Sequence, residues 1–374
     1  MPSATDWVEG LSPWPADGFG LERIHALLRE LGDPQLDYPA VHVVGTNGKS
    51  TTTRMIDALL ADAGLRVGSY VSPHVSSWGE RIHVGGMEAD FERAVRRVRG
   101  SAARVGATQF EVLTAAALAE FAAARVDAAV VEAGLGGRHD ATNVLDSRVV
   151  VLTSVALDHM DVLGDTREAI AAEKLAVIRP GATVVLGEPE WEPLARSEGA
   201  GAVVVAARSN LALAMAAAES FLGRAVDPHA AESVALPGRL ERRGEAPLEI
   251  WDGAHNMAGI GWLLPRLPDR RYVVVASILE DKRPELMLEA LSVLGDHFVA
   301  TESSSGRALG VSRLASLAKP YSWLVQAVQA PEEAVRRARE LAGTEGAVLV
   351  TGSLYLLADL YKEENVRWRT SATG

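Results

Sequence analysis

Between Val41 and Thr51 the chain reads Val-His-Val-Val-Gly-Thr-Asn-Gly-Lys-Ser-Thr. An apolar strand, a glycine turn, a lysine and hydroxyls, in that order, suit the binding of a nucleoside triphosphate. Glycines let the backbone turn tightly and aim successive N–H groups at an anion. The start of the following helix adds a favourable dipole. Lys49 would meet the β- and γ-phosphates, and Ser50 or Thr51 a phosphate-bound Mg²⁺. The common spacing has a glycine where Val43 stands, so this is a shorter variant.

Three more strand ends carry groups fit for the same chemistry. Ser72-Pro73-His74 follows one apolar run, Glu132 closes another ahead of Ala133-Gly134-Leu135-Gly136-Gly137-Arg138, and Leu157-Asp158-His159 follows a third. Ligands of open α/β sheets bind outside the carboxyl ends of the strands. Mg²⁺ takes oxygen ligands, which Ser72, Glu132 and phosphate supply; His159 is a softer donor. Lys174 is one of only five lysines in a chain otherwise supplied with arginine. An amine of this kind can add CO₂ and become a carbamate, which a guanidinium does not readily do, although its helical setting alone reads as a solvated surface. Later, Trp251-Asp252-Gly253-Ala254-His255-Asn256 ends another strand, and Arg239 follows Leu236-Pro237-Gly238. An arginine there could reach the γ-phosphate on domain closure and offset the charge that builds during transfer.

The elements that must position these groups alternate between β-branched runs and Ala/Leu/Arg-rich helical stretches, which predicts parallel sheets flanked by helices. Expected strands are Val41–Val44, Arg66–Val71, Asp127–Glu132, Arg148–Val155 and Thr183–Leu186. Expected helices are Ser50–Ala63, Phe91–Val105, Glu111–Ala124 and Thr166–Ile178. A second set runs through Leu248–Trp251, Tyr272–Ser277, His297–Ala300 and Ala347–Val350, with a helix at Pro331–Leu341. Between the sets, Leu236–Pro247 is rich in Pro, Gly and charge and reads as a connection. The expected domains are therefore 1–238, with the phosphate loop, and 239–374, a smaller Rossmann-like α/β domain.

Bulk properties exclude several classes. At 374 residues with 48% hydrophobic content the chain can bury two cores. It has no cysteine, so disulfides, thiolate metal sites and thiol nucleophiles are out. A net charge of −12 argues against a nucleic-acid partner. No stretch approaches the ~20 apolar residues of a membrane span. Met1 to Gly10 lacks a basic start followed by an apolar run, so a cytosolic enzyme is expected.

Taken together the motifs resemble those of the folylpolyglutamate synthase/dihydrofolate synthase family, within the wider Mur ligase group. The resemblance begins at Phe19-Gly20-Leu21-Glu22-Arg23-Ile24 and the Gly45–Thr51 loop. It continues through Ser72-Pro73-His74, Phe110-Glu111, Glu132–Asn143, Thr153–His159 and Glu173-Lys174. Pro237-Gly238-Arg239, Asp252–Asn256, Asp281-Lys282 and Val350–Leu354 complete it. It implies the Mur ligase architecture and an ATP-dependent amide ligase. Asn47, Gly48, Lys49, Ser50 and Thr51 would hold ATP, with Asn210, Arg239 and Asp252. Ser72, Glu132 and His159 would ligate magnesium, at what the family implies are two metal sites, with a monovalent cation besides. Lys174 would be the carbamylated lysine and His255 would lie near it. Gln109, Phe110, Glu111, His139, Asp140 and Ala141 fall where the family binds its pteroate substrate.

This chain departs from the family in having Ser50 directly after the loop lysine, in a shortened segment from Gly187 to Asn210, and in lacking a glutamine ahead of Asn210. The expected substrates are dihydropteroate, folates and L-glutamate, with both synthase activities in one monomeric enzyme. Two alternatives stay open: a Mur-type cell-wall amino-acid ligase, and a P-loop regulatory NTPase that ligates nothing.

Overall fold

A computed structural model describes residues 3–15, 18–321 and 323–372. The chain divides into two compact units, Met1–Val234 and Ala235–Gly374.

The first unit is built on an eight-stranded sheet. Its strands are β1 (Ala40–Val44), β2 (Val67–Tyr70), β3 (Ile82–Val84), β4 (Met87–Glu88), β5 (Ala128–Glu132), β6 (Ser147–Leu152), β7 (Thr183–Leu186) and β8 (Ala202–Val205). They lie in the order β4-β3-β2-β5-β1-β6-β7-β8. From β2 to β8 the ladders are parallel; β3 and β4 add an antiparallel margin. The central strands β1 and β5 are buried along their whole length. That is the pattern of a parallel sheet covered on both faces, and it is why their apolar runs show no alternation.

Covering helices begin where side chains can cap them. Asp90 accepts from Arg93 N ahead of Phe91–Val105, and Thr166 from Ala169 N ahead of Arg167–Leu175. Thr108 forms a full capping box with Glu111. That box starts its helix at Gln109, two residues before the expected Glu111. The helix at 166–178 ends three residues early, at Leu175.

The second unit carries β9 (Glu241–Glu245), β10 (Leu248–Trp251), β11 (Tyr272–Ala276), β12 (His297–Ala300), β13 (Leu324–Ala327) and β14 (Ala347–Thr351) in the order β13-β12-β11-β14-β10-β9. All pairings are parallel except β9 with β10. Here the reading of Leu236–Pro247 as a plain connection is corrected: Glu241–Glu245 is an edge strand in a hairpin with β10. Its Glu-Arg-Arg-Gly-Glu sequence is charged because both faces meet solvent, so it gives no hydrophobic periodicity to read. Among the described residues no helix is long and apolar enough to cross a membrane.

Candidate active site

Parallel order places the carboxyl ends of β1, β5, β2 and β6 side by side, and the chemistry-bearing residues emerge there. Gly45 leaves β1 with φ 148°, and Gly48 turns into the helix Lys49–Asp62 with φ 85°. Neither conformation suits a residue with a Cβ. A Cβ on Gly45 would collide with Thr153 Oγ1 and stand 3.1 Å from Thr153 N; one on Gly48 would stand 2.5 Å from Asn210 Oδ1. Asn210 therefore lies against the phosphate loop although it opens a helix after β8, which is three places from β1. Gly48 offers no side-chain cap to the helix it opens, so the first-turn N–H groups have no such partner.

The loop is held from β6. Thr46 N donates to Ser154 O at 2.8 Å, Asn47 N to Ser154 Oγ at 3.1 Å, and Thr153 Oγ1 to Asn47 O at 2.8 Å. Ala156 N donates to Thr46 Oγ1 at 3.1 Å. The expected strand Arg148–Val155 stops at Leu152: Thr153 N still donates to Val44 O of β1, but beyond it Ser154 O and Ala156 N bond Thr46 of the phosphate loop. Thr153 and Ser154 were visible only as part of a motif; two hydroxyl residues at the end of an apolar run were the signal.

Glu132 closes β5 and pairs in register with Val43. Its carboxylate is buried and accepts from Ser50 Oγ and from Ser72 N, each at 3.0 Å. Ser50, Ser72 and Glu132 thus come together from three elements. Their oxygens form a hard donor set that fits Mg²⁺, and the choice between Ser50 and Thr51 tilts toward Ser50, whose hydroxyl lies in the cluster. His159 stands just before the short helix Met160–Leu163 with φ 51° and gives it no side-chain cap; its Nε2 lies 3.9 Å from Asp158 Oδ1. Among the described residues no group of three His, Asp or Glu is set to hold a metal ion by itself, so phosphate oxygens and water would complete any shell.

Lys174 is the clearest departure from a solvated helix residue. It is 4% exposed, and its Nζ donates to Gly45 O at 3.0 Å. Burial, followed by the charge of Lys49, lowers its pKa to about 7. The turn Gly136-Gly137 lies directly on its helix: a Cβ on Gly137 would stand 2.6 Å from the carbonyl oxygens of both Glu173 and Lys174.

On the side expected to meet pteroate, the Phe110 ring covers Gly134 closely enough that a Cβ there would overlap it. Glu111 is committed within the chain, accepting from Thr108 N at 2.7 Å and from Arg23 Nε at 3.2 Å. Gln109 Nε2 donates to Val8 O at 2.9 Å. Asp140 is buried, accepting from Leu135 N at 2.7 Å and Thr142 N at 2.9 Å, and burial raises its pKa. His42 Nε2 bonds Thr142 Oγ1 at 2.8 Å, linking β1 to that loop. Ala141 is buried and His139 exposed. Glu111 and Asp140 therefore shape the wall, while Phe110 and His139 remain the groups more open to a ligand.

In the second unit Asp252 ends β10 and accepts from Leu240 N and Ala254 N, each at 2.8 Å. Burial raises its pKa. His255 Nδ1 stands 2.8 Å from Gly253 O, and Arg239 Nη1 donates to Gly238 O at 3.2 Å.

Residues 43–191 match the Mur ligase middle domain, and residues 238–354 the Mur ligase glutamate ligase domain. The dihydrofolate synthase/folylpolyglutamate synthase of Mycobacterium tuberculosis is 35% identical over 381 residues, covering 81% of this chain and 78% of that one. The chain belongs to the dihydrofolate synthase/folylpolyglutamate synthase family. It has the two-domain Mur ligase fold and is an ATP-dependent ligase. E. coli FolC in complex with DHPP and ADP superposes with a TM-score of 0.87 at 29% identity, over 98% of this chain and 99% of that one. A Yersinia pestis bifunctional folylpolyglutamate synthase/dihydrofolate synthase complexed with AMPPNP and Mn ion gives the same TM-score and identity, over 98% of each chain.

For a ligase of this family the loop geometry makes a firm demand at Gly45. Gly45→Ala should lower stability by about 2 kcal/mol through backbone strain and the clash with Thr153. It should also weaken ATP binding by about tenfold if the displaced loop amides are those that meet the phosphates. Denaturant unfolding and nucleotide titration read the two effects separately.

Proposed function

We propose that this ligase joins L-glutamate both to dihydropteroate and to the glutamate tail of reduced folates, through an acyl phosphate. The observation that carries the proposal is Lys174, a buried lysine set against the phosphate loop. As a carbamate it would anchor a second cation beside the transferring phosphoryl, a part that transfer of the phosphoryl to water by a simple P-loop NTPase does without.

A carboxylate is a poor electrophile; attack by its oxygen on the γ-phosphate of ATP breaks the β,γ-phosphate bond, releases ADP and turns that oxygen into part of a phosphate leaving group. Lys49 neutralises the phosphates, and Arg239 is assigned to the charge that accumulates in transfer. Asn47, Gly48, Ser50, Thr51, Asn210 and Asp252 are assigned to ATP. Ser72, Glu132 and His159 would hold magnesium, which when bound screens phosphate charge and polarises phosphoryl oxygens. Lys174, as its carbamate, is assigned to a second cation, and His255 to the catalytic groups. The glutamate amine then attacks the activated carbonyl and phosphate leaves. Gln109, Phe110, Glu111, His139, Asp140 and Ala141 are assigned to the pteroate side, Glu111 and Asp140 by shaping it. In this reading the enzyme acts as a cytoplasmic monomer, and the domains divide at Gly238.

The relatives' names support both acceptors: the M. tuberculosis and Y. pestis proteins are each named for both synthase activities. Mass spectrometry of products, with dihydropteroate and a reduced folate offered separately, tests the proposal. One glutamate should be added to the first and one or more to the second, with phosphate released only when acceptor and glutamate are both present. Phosphate release that ignores both, or product from a UDP-muramoyl acceptor alone, would sink it.

A further inference from the structure

Glu188 follows β7 and is 3% exposed, yet no step above uses it. Its Oε2 accepts from Val155 N at 3.3 Å, from Arg167 Nη2 at 2.8 Å and from Trp191 Nε1 at 2.8 Å. Arg208 Nη2 stands 2.6 Å from Oε1, an ion pair outside hydrogen-bonding geometry. Arg208 is largely exposed, so solvent screens most of that attraction. Arg167 returns to the same residue, its Nε donating to Val155 O at 3.0 Å while its guanidinium lies over the Trp191 ring. Both polar groups of Val155 are therefore held, the N–H by a carboxylate and the carbonyl by a guanidinium.

The neighbours of Val155 face the other way. Ser154 and Ala156 make the bonds to Thr46 and Asn47 that shape the phosphate loop. Arg167 also opens the helix that carries Lys174, seven residues on and so on the same face two turns later. One helix thus touches the nucleotide wall at both ends, through Val155 at its start and Gly45 O near its finish. Arg167 is half-exposed and also bonds Glu190 at 3.0 Å, so solvent screens the pair and its net contribution to stability is small. What this one secures is geometry.

We infer that Glu188 and Arg167 are positioning residues for the nucleotide: they fix Val155 so that Ser154 and Ala156 hold Thr46-Asn47 in the phosphate-binding form. The inference rests on ATP binding at that loop. Calorimetric titration of the full chain with AMPPNP, paired with steady-state kinetics, tests it on wild type, Glu188→Gln and Arg167→Lys. Glu188→Gln keeps the shape but loses the charge, and should raise the Kd for nucleotide and the KM for ATP by about tenfold. The KM for glutamate should stay within about twofold, and the melting temperature near that of wild type. Arg167→Lys keeps a cation for Glu188 but cannot hold the Val155 carbonyl at the same time, and should give an intermediate loss of about threefold.

Wild-type nucleotide affinity in both variants would overturn the inference. So would a parallel rise in every KM with a lowered melting temperature, which marks general loss of structure. If wild type itself binds no AMPPNP, the proposed function falls first and the inference with it.

Discussion

Lys174→Ala should reduce turnover by about 10³-fold, with part of the loss restored by a small carboxylate such as acetate. The expectation comes from where the lysine lies. Its Nζ is buried against Gly45 O, and its pKa falls to about 7, through burial first and the Lys49 charge second. Only the neutral amine adds CO₂, releasing a proton and leaving a carbamate anion where a cation stood. The sign follows. A lysine with a lowered pKa is largely protonated at pH 6 and largely neutral at pH 8, so at fixed dissolved CO₂ carbamate should form faster as pH rises through 7. A lysine with the usual pKa of about 10.4 would show that rise some three units higher. The tests are the turnover number with and without added carboxylate, and the ¹³C signal of labelled carbamate across that pH range. Unchanged turnover in the alanine variant would remove the carbamate from the mechanism.

Glu132→Gln should be nearly as damaging, by about 10²- to 10³-fold in turnover, with a raised magnesium requirement. The substitution is close to isosteric but changes what the buried site can accept. One carboxylate oxygen accepts from Ser50 Oγ and the other from Ser72 N. A glutamine can accept from Ser72 N and donate its amide N–H to Ser50 Oγ, which reverses the Ser50 bond, turns that hydroxyl's proton elsewhere and removes the negative charge. Measuring activity against Mg²⁺ concentration separates the two effects: a shift in the Mg²⁺ curve reports the ligand, and a lower plateau reports the turned Ser50 hydroxyl. A variant with a wild-type curve would exclude Glu132 from the metal site.

What sequence alone could and could not reveal follows from range. The segment Gly45–Thr51 was legible because its strand, turn and helix are local. Glu132 and Ser72 were each readable as strand-end polar residues. That they touch depends on β5 lying between β1 and β2, a pairing of segments some sixty residues apart. The setting of Lys174 was the least legible. Glu-Lys in an alanine-rich helix looks solvated, and its burial comes from Gly136-Gly137 pressing onto the helix from another loop. The margin strands escaped for a different reason. Met87–Glu88 is only two residues long, and Glu241–Glu245 has no apolar alternation. Glu188 and Arg167 carried no motif at all, since their partner is the backbone of Val155.

The helix that opens at Lys49 is unlike those that follow Asp90, Thr108 and Thr166, for its preceding glycine brings no oxygen to its first turn. In the proposed binding mode the triphosphate would take that role, so that a substrate completes the secondary structure. Any ligand bound only by the folded form shifts the folding equilibrium, by about 2.7 kcal/mol at a hundredfold excess over Kd. A cell drained of adenine nucleotide would then hold this enzyme not merely idle but loosened, and more open to proteolytic turnover.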